Sequence, residues 1–175
     1  MIIEKACGVS FTDFVRQYIF VPLKIKKSHW WIEKSTPVER ATLYFNQYPL
    51  PNYRSSLYPD GGLVTNIDEF SRYWLAMRQA YAKKQFQILT PASFEEMYRK
   101  QTDCGIFWDI YKKAIGHDGE DSGITTYAHF GKSEDSGFII FVNASHTKGL
   151  EEGVNEISRL LRKCWKVLNA SKKNK

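Results

Sequence analysis

Residues that could do chemistry concentrate in Ala114-Ile115-Gly116-His117-Asp118-Gly119-Glu120-Asp121-Ser122-Gly123, which runs into Ile124-Thr125-Thr126-Tyr127-Ala128-His129-Phe130. Three glycines and a histidine interrupt a strand-like stretch. Glycine inside a strand weakens it and marks a bulge or a close approach by ligand or backbone. His117 between glycines is then a polar group on a bare backbone edge, where an extended substrate can lie beside the strand. The competing reading is a glycine-rich hairpin loop with an exposed histidine. Asp118, Glu120 and Asp121 have the chemistry of a cation site, although a solvated acidic turn is the commoner use of such residues.

Other groups are weaker candidates. Ser145-His146-Thr147-Lys148 spells S-x-x-K, the spacing of a serine activated by a lysine. Short motifs arise by chance, and this one lies between the last strand and the last helix. Tyr44-Phe45-Asn46 spells Y-x-N and reads as an aromatic loop contact. His29 beside Trp30-Trp31 reads as packing. His129 alternates along a strand near His117, but without a placed carboxylate the two histidines do not make a metal site. Cys7, Cys104 and Cys164 are widely spaced, with no CxxC and no implied disulfide framework. Cys7 and Cys164 fall on helical faces and are expected to be buried thiols. No Walker or dinucleotide glycine pattern occurs, and no metal or cofactor is expected.

These residues must be positioned by a helical first half and a β-rich second half. Residues 1–7 read as a helix closed by Gly8. Ser10-Phe11-Thr12-Asp13 opens a second, with Phe11, Phe14, Val15 and Tyr18 on one face and Pro22 at its end. Residues 24–60 read as a long, irregular aromatic connection, a length usually tied to function or to its own packing. Asn66-Ile67-Asp68-Glu69 is a capping box, and Phe70, Tyr73, Trp74, Met77, Ala80 and Tyr81 follow at helical spacing. Thr90-Pro91 opens a shorter helix to about Gln101. The period then changes, and residues 105–111, 124–130 and 137–143 read as strands, the last fully buried. An antiparallel meander is expected. Leu150, Val154, Ile157, Leu160, Leu161, Cys164, Val167 and Leu168 form one stripe of a final helix, with acids near its start and bases near its end. The fold class is α+β: an antiparallel sheet covered by a C-terminal helix, preceded by helices and the long aromatic loop. One domain over residues 1–169 and a disordered basic tail over 170–175 are expected.

The composition limits the alternatives. The net charge of +6 draws three of its charges from Lys172, Lys173 and Lys175. The remaining bases are scattered, with no aromatic-interleaved basic run, so nucleic acid is not the expected partner. No apolar run approaches 18 residues, so no membrane span is expected, and Glu4-Lys5 directly after Met1-Ile2-Ile3 leaves no signal peptide in this stretch.

Four segments, in order, carry a resemblance. Ile2-Ile3-Glu4-Lys5-Ala6-Cys7-Gly8, Phe11 to Phe20 and Pro22-Leu23-Lys24-Ile25 resemble the "IIE-kvsG … F-x-PLGM" stretch of serine β-lactamase-like proteins, in the branch of class C β-lactamases, D,D-carboxypeptidases, D-amino-acid peptidases and related esterases. Tyr58-Pro59-Asp60-Gly61-Gly62-Leu63-Val64-Thr65 with Asp68-Glu69-Phe70 resembles that branch's "GGL-x-s-t-x-x-D-l-x-x-F" stretch. Cys104-Gly105-Ile106-Phe107-Trp108 resembles its "yGLGW" strand, and Gly116-His117-Asp118-Gly119 with Gly123 its "GHxG-x-x-G" strand. The resemblance implies a partial β-lactamase/transpeptidase-like fold and acyl transfer on a small-molecule, peptide, amide or ester substrate. It casts His117 as the polar or cationic catalytic group, Asp118 and Gly119 as substrate contacts, and Glu120 as a backbone N–H donor to an oxyanion. Histidine instead of lysine leans toward peptidase or esterase relatives. The family's S-x-x-K and Y-x-N precede the "IIE" segment, so this chain is expected to hold the C-terminal part without the nucleophile, with an N-terminal segment as a further partner. The alternative is a non-catalytic peptide- or peptidoglycan-binding module on the same fold. The family often works in the periplasm or outside the cell.

Overall fold

The structure, a computed structural model, describes residues 2–30, 40–51, 53, 58–102, 104–132 and 136–173. It is α+β, with antiparallel sheets, and divides into two compact units: Met1–Arg40 with Asn52–Met97, and Ala41–Pro51 with Tyr98–Lys175.

In the first unit, α1 (Ile2–Cys7) ends at Gly8, whose φ of 70° and N–H bond to Glu4 make the left-handed stop. The Ser10 hydroxyl caps α2 (Phe11–Val15) by accepting the Asp13 N–H at 3.1 Å. From Arg16 to Phe20 the helix widens into a π turn. Each wide turn holds an extra residue, so the expected face rotates: Phe20 is buried and Tyr18 is exposed. Phe11, Val15, Phe20, Leu23, Ile25, Trp30 and Ala76 form one core cluster, with Trp30 edge-on to Phe11 and stacked on Phe20. β1 (His29–Trp30) pairs antiparallel with β4 (Leu63–Val64). His29 is buried as expected, with Nδ1 2.9 Å from the Lys27 carbonyl.

The capping box at α3 (Ile67–Lys83) is half as expected. Asn66 Oδ1 accepts the Glu69 N–H at 3.0 Å. The buried Glu69 carboxylate turns to the incoming chain and accepts the backbone N–H groups of Lys26, Lys27 and Ser28 and the Ser28 hydroxyl, all at 2.7–2.9 Å. Burial pushes its acidity toward the neutral form, but these donors outweigh it and hold the carboxyl below its ordinary range. α4 (Pro91–Tyr98) starts on a Thr90 cap and stops three residues earlier than its sequence implies.

The second unit holds the main sheet, five antiparallel strands in chain order: β5 (Cys104–Gly105), β6 (Trp108–Ile110), β7 (Ala114–Asp121), β8 (Ile124–Gly131) and β9 (Gly137–Val142). Residues 105–111 are therefore a hairpin and not one strand. The turn falls at Ile106-Phe107, with Phe107 left-handed (φ 58°) and 85% exposed. An aromatic residue gives no turn signal in sequence, because bulky side chains rarely adopt that conformation. Residues 41–51 also depart from the irregular reading. β2 (Leu43–Phe45) and β3 (Tyr48–Leu50) make a tight hairpin about Asn46 (φ 54°), and Tyr44 bridges to Ala144. Residues 31–39, 52 and 54–57 of the same connection lie outside the described residues.

One face of the sheet is the core: Trp108, Ile110, Ile115, Ala128 and Phe130 are buried, and Tyr98 packs its ring on Trp108 and Phe130. α5 (Lys148–Lys173) lies against β9 on the other face, burying Val154 and Ser158 and setting the Arg162 guanidinium 5.8 Å from the Phe138 ring. Its expected apolar stripe is only partly covered. Ile157, Leu160, Leu161, Val167 and Leu168 remain exposed, because the six-residue β9 spans less than the 26-residue helix. β9 itself is half-buried and not fully buried, since among the described residues no strand pairs on its outer side. Cys7, Cys104 and Cys164 are all exposed, against the expectation of buried thiols at Cys7 and Cys164. Neither helical face carrying them is packed at that point. α5 runs through Ala170 to Lys173.

Candidate functional site

The geometry of the Gly116–Glu120 segment follows from one turn. Ser122-Gly123 is a two-residue connection, with Gly123 at φ 79°, and it closes on the Asp121↔Ile124 pair. A Cβ at Gly123 would sit 2.6 Å from Leu43 Cβ, so the position requires glycine for space as well as for φ. That turn fixes the register through Glu120↔Thr125, Gly119↔Thr126, Asp118↔Tyr127, His117↔Ala128 and Gly116↔His129.

Alternation then sorts the candidates onto two faces. His117 and Gly119 share the face of Ile115, Ala128 and Phe130. Past the buried Ile115 that face opens, and His117 is exposed. A Cβ at Gly119 would meet the Thr126 hydroxyl at 2.7 Å. Asp118 and Glu120 point their side chains to the opposite face, toward the side that α5 covers. The structure thus brings His117 together with Gly119 and separates both from the two carboxylates.

The backbone has a second polarity. The Lys132 N–H donates to the Lys113 carbonyl at 3.0 Å, so odd-numbered residues of β7 exchange bonds with β8. Even-numbered residues direct their N–H and C=O to the other edge. There β6 pairs only at Ile110↔Ile115 and Asp109↔Gly116. Beyond this, among the described residues, no strand pairs with 118–121. The N–H and C=O of Asp118 and Glu120 therefore face an open edge, next to the exposed His117.

Behind this edge the fold joins residues that are far apart in sequence. His129 Nε2 stands 2.6 Å from Asp118 Oδ1. Because an ionised carboxylate only accepts, Nε2 carries the proton. The imidazole is stacked between Tyr111 (5.4 Å, 17°) and Phe138 (5.2 Å, 6°). Tyr111 and Tyr127 are both pushed up, by burial first and by nearby carboxylates second, among them Asp118. The signal for the pair was present in sequence. A two-residue turn at Ser122-Gly123 sets His129 opposite Gly116, one diagonal step from Asp118. Among the described residues no cluster of three or more metal-ligating side chains forms, and no helix is long and apolar enough to cross a membrane.

The two motif look-alikes are placed elsewhere. The Ser145 hydroxyl accepts the Gly123 N–H at 2.7 Å, and the Ser145 N–H donates to the Tyr44 carbonyl. Tyr44 lies in β2, and Asn46 takes the left-handed turn position. These residues fasten the β2–β3 hairpin to the end of the main sheet.

Comparison with known proteins gives a family. The sequence profile of the family described as Beta-lactamase matches residues 1–161. A penicillin-binding protein from Bacillus halodurans superposes with a TM-score of 0.69 at 16% identity, over 91% of this chain and 52% of its own. The octameric penicillin-binding protein homologue from Pyrococcus abyssi superposes with a TM-score of 0.67 at 22% identity, over 81% of this chain and 35% of its own. At those identities the likeness is one of fold, and the chain spans about half the length of the first structure and about a third of the second. No curated protein matches it.

Proposed function

The chain belongs to the β-lactamase family, and from that premise we propose that β7 is the substrate-flanking strand of a serine acyl-transfer site acting on a peptide, amide or ester. The observation that carries this reading is the open edge of residues 118–121 beside the exposed His117. An extended substrate can add to that edge as a strand, exchanging backbone hydrogen bonds with Asp118 and Glu120. The Glu120 N–H then points at the substrate's acyl oxygen, where negative charge develops when a hydroxyl attacks the carbon. Gly119 keeps the approach free of side-chain bulk, and His117 offers an imidazole to the substrate's polar end. Asp118 and Glu120 act through their backbone, because their carboxylates lie on the other face.

The attacking serine is not assigned to this chain. Ser145 is the only S-x-x-K serine in the sequence, and its hydroxyl is engaged with Gly123 at the hairpin tip. The share of its structural neighbours that the chain spans is compatible with part of a longer hydrolase, and the order of the resembling segments favours the C-terminal part. It equally fits the second reading, a peptide-binding module that lacks the chemistry.

Two measurements test the proposal. Titration of the isotopically labelled chain with an N-acetylated dipeptide should shift the Glu120 amide and the His117 ring signals. Shifts confined to other surfaces would overturn the assignment of β7. Intact mass after incubation with a penicillin or an activated ester should show no adduct on this chain. An adduct abolished by Ser145→Ala would move the nucleophile to Ser145 and reject the site described here.

A further inference from the structure

The open edge of β7 poses a mechanical difficulty. Residues 118–121 are paired on one side only, in a segment that contains Gly119 and ends at a glycine turn. A strand held along one edge opens easily, and a substrate that must first straighten it binds more weakly by that ordering cost.

Asp118 is held from behind. Its carboxylate is tied to His129 Nε2 at 2.6 Å, and the His129 ring occupies a built socket. Tyr111 and Phe138 form the two walls, Arg162 covers Phe138, and the floor is the bare backbone of Gly116. A Cβ on Gly116 would sit 2.7 Å from His129 Cγ and 2.8 Å from Nδ1. Glycine at 116 is therefore accounted for by the histidine behind the sheet together with the Ala128 carbonyl, which lies 2.9 Å from the same Cβ. The neighbouring pair is looser: His146 stands 4.0 Å from both Glu120 and Glu151. Only the Asp118 tie is at hydrogen-bond distance.

We propose that His129 is a positioning residue, clamping Asp118 so that residues 118–121 stay extended and ready to accept a substrate backbone. Fixing the Asp118 side chain on the helix-covered face constrains the two peptide planes that join it to His117 and Gly119. The clamp thus acts on the groups that would meet the substrate without touching it. The inference rests on the role proposed for β7.

The test separates the clamp from that role. Amide hydrogen exchange on the full chain reads His117, Gly119 and Asp121, whose N–H groups bond to β8. His129→Ala should speed exchange at Gly119 and Asp121 at least tenfold, with less than a twofold change at Ile115 and Phe130. His129→Gln, which keeps an N–H donor, should recover part of the protection. Asp118→Ala added to His129→Ala should change nothing further. Uniform loosening of β7 and β8 with a lower denaturation midpoint would make His129 a packing residue and overturn the proposal. Unchanged exchange at Gly119 would overturn it too. In the dipeptide titration, His129→Ala should bind at least threefold more weakly with the same pattern of shifts, and equal affinity would reject positioning. If neither protein binds while the exchange effect persists, the substrate role of β7 fails and the clamp on the edge does not.

Discussion

Glu69 and Asp118 are both carboxylates that fix a neighbouring backbone, but in different settings. Glu69 is buried and accepts three backbone N–H groups and a hydroxyl from residues 26–28. Asp118 has a side chain 41% exposed and, among the described residues, is tied at hydrogen-bond distance to His129 alone. Removing a carboxylate from a closed ring of donors strands every donor at once. Removing one from a single partner at a wet surface returns both groups to water. The first arrangement therefore supports the stability of the fold, and the second the local geometry of an edge.

The largest effect is expected at Glu69. Glu69→Ala should lower stability by roughly 3 kcal/mol, the order expected for buried donors left without an acceptor. Glu69→Gln should cost less, since the amide oxygen still accepts. Because the folded carboxyl is held below its ordinary value of 4.5, its contribution is fully present above the unfolded value and is lost as pH falls through the folded one. Urea midpoints should therefore drop between pH 5 and lower pH in the native chain, and Glu69→Gln should flatten that drop. An equal slope in both proteins would remove Glu69 as its cause.

A smaller effect is expected at Gly116, which packs against the His129 ring. Gly116→Ala drives a methyl into the His129 ring and toward the Ala128 carbonyl at 2.9 Å, so a loss of about 2 kcal/mol is expected from overpacking. His129→Ala in the same background removes the ring but not the carbonyl, and should restore part of the loss. Full additivity of the two substitutions, read from denaturation midpoints, would show that the ring and Gly116 are not in contact.

These two carboxylates were unequally legible. Helix α3 follows from its capping residues and spacing and β8 from its strand-like run, whereas β7 was legible only as a strand-like stretch broken by glycines and through the resemblance of its H-x-G segment. The second job of Glu69 was hidden because its partners are more than 40 residues away and are backbone amides, which have no residue type to read. The faces of Asp118 and Glu120 were hidden because a carboxylate motif does not state which side of a pleat it occupies. Only the register set at Ser122-Gly123 decides that. Phe107 and Asn46 turn the chain at positive φ without glycine, so the hairpins they close read as a strand and a loop. The apolar stripe on α5 is evident in the sequence, but a pattern does not say how long a surface lies beneath it.

The smallest effect is expected at a third carboxylate, Glu156. It lies on the exposed side of α5, where the Arg159 guanidinium donates to both of its oxygens, the Nε bond at 2.7 Å. The Arg159 hydrogen bond holds its carboxyl below the usual range, ahead of an opposing effect of burial. By sign, any stability it gives is present above the ordinary carboxyl value and lost below the folded one, as at Glu69. By magnitude the two differ. Glu156 and Arg159 are about half exposed, three residues apart on one helix, and in the unfolded chain both are simply hydrated. Glu156→Gln should leave the urea midpoint at pH 7 unchanged within error and should not alter its dependence on pH. A measurable fall would mean that a lowered acidity is enough to give stability even in open solvent. The contrast between Glu69 and Asp118 would then rest on charge alone and not on which donors are left without water.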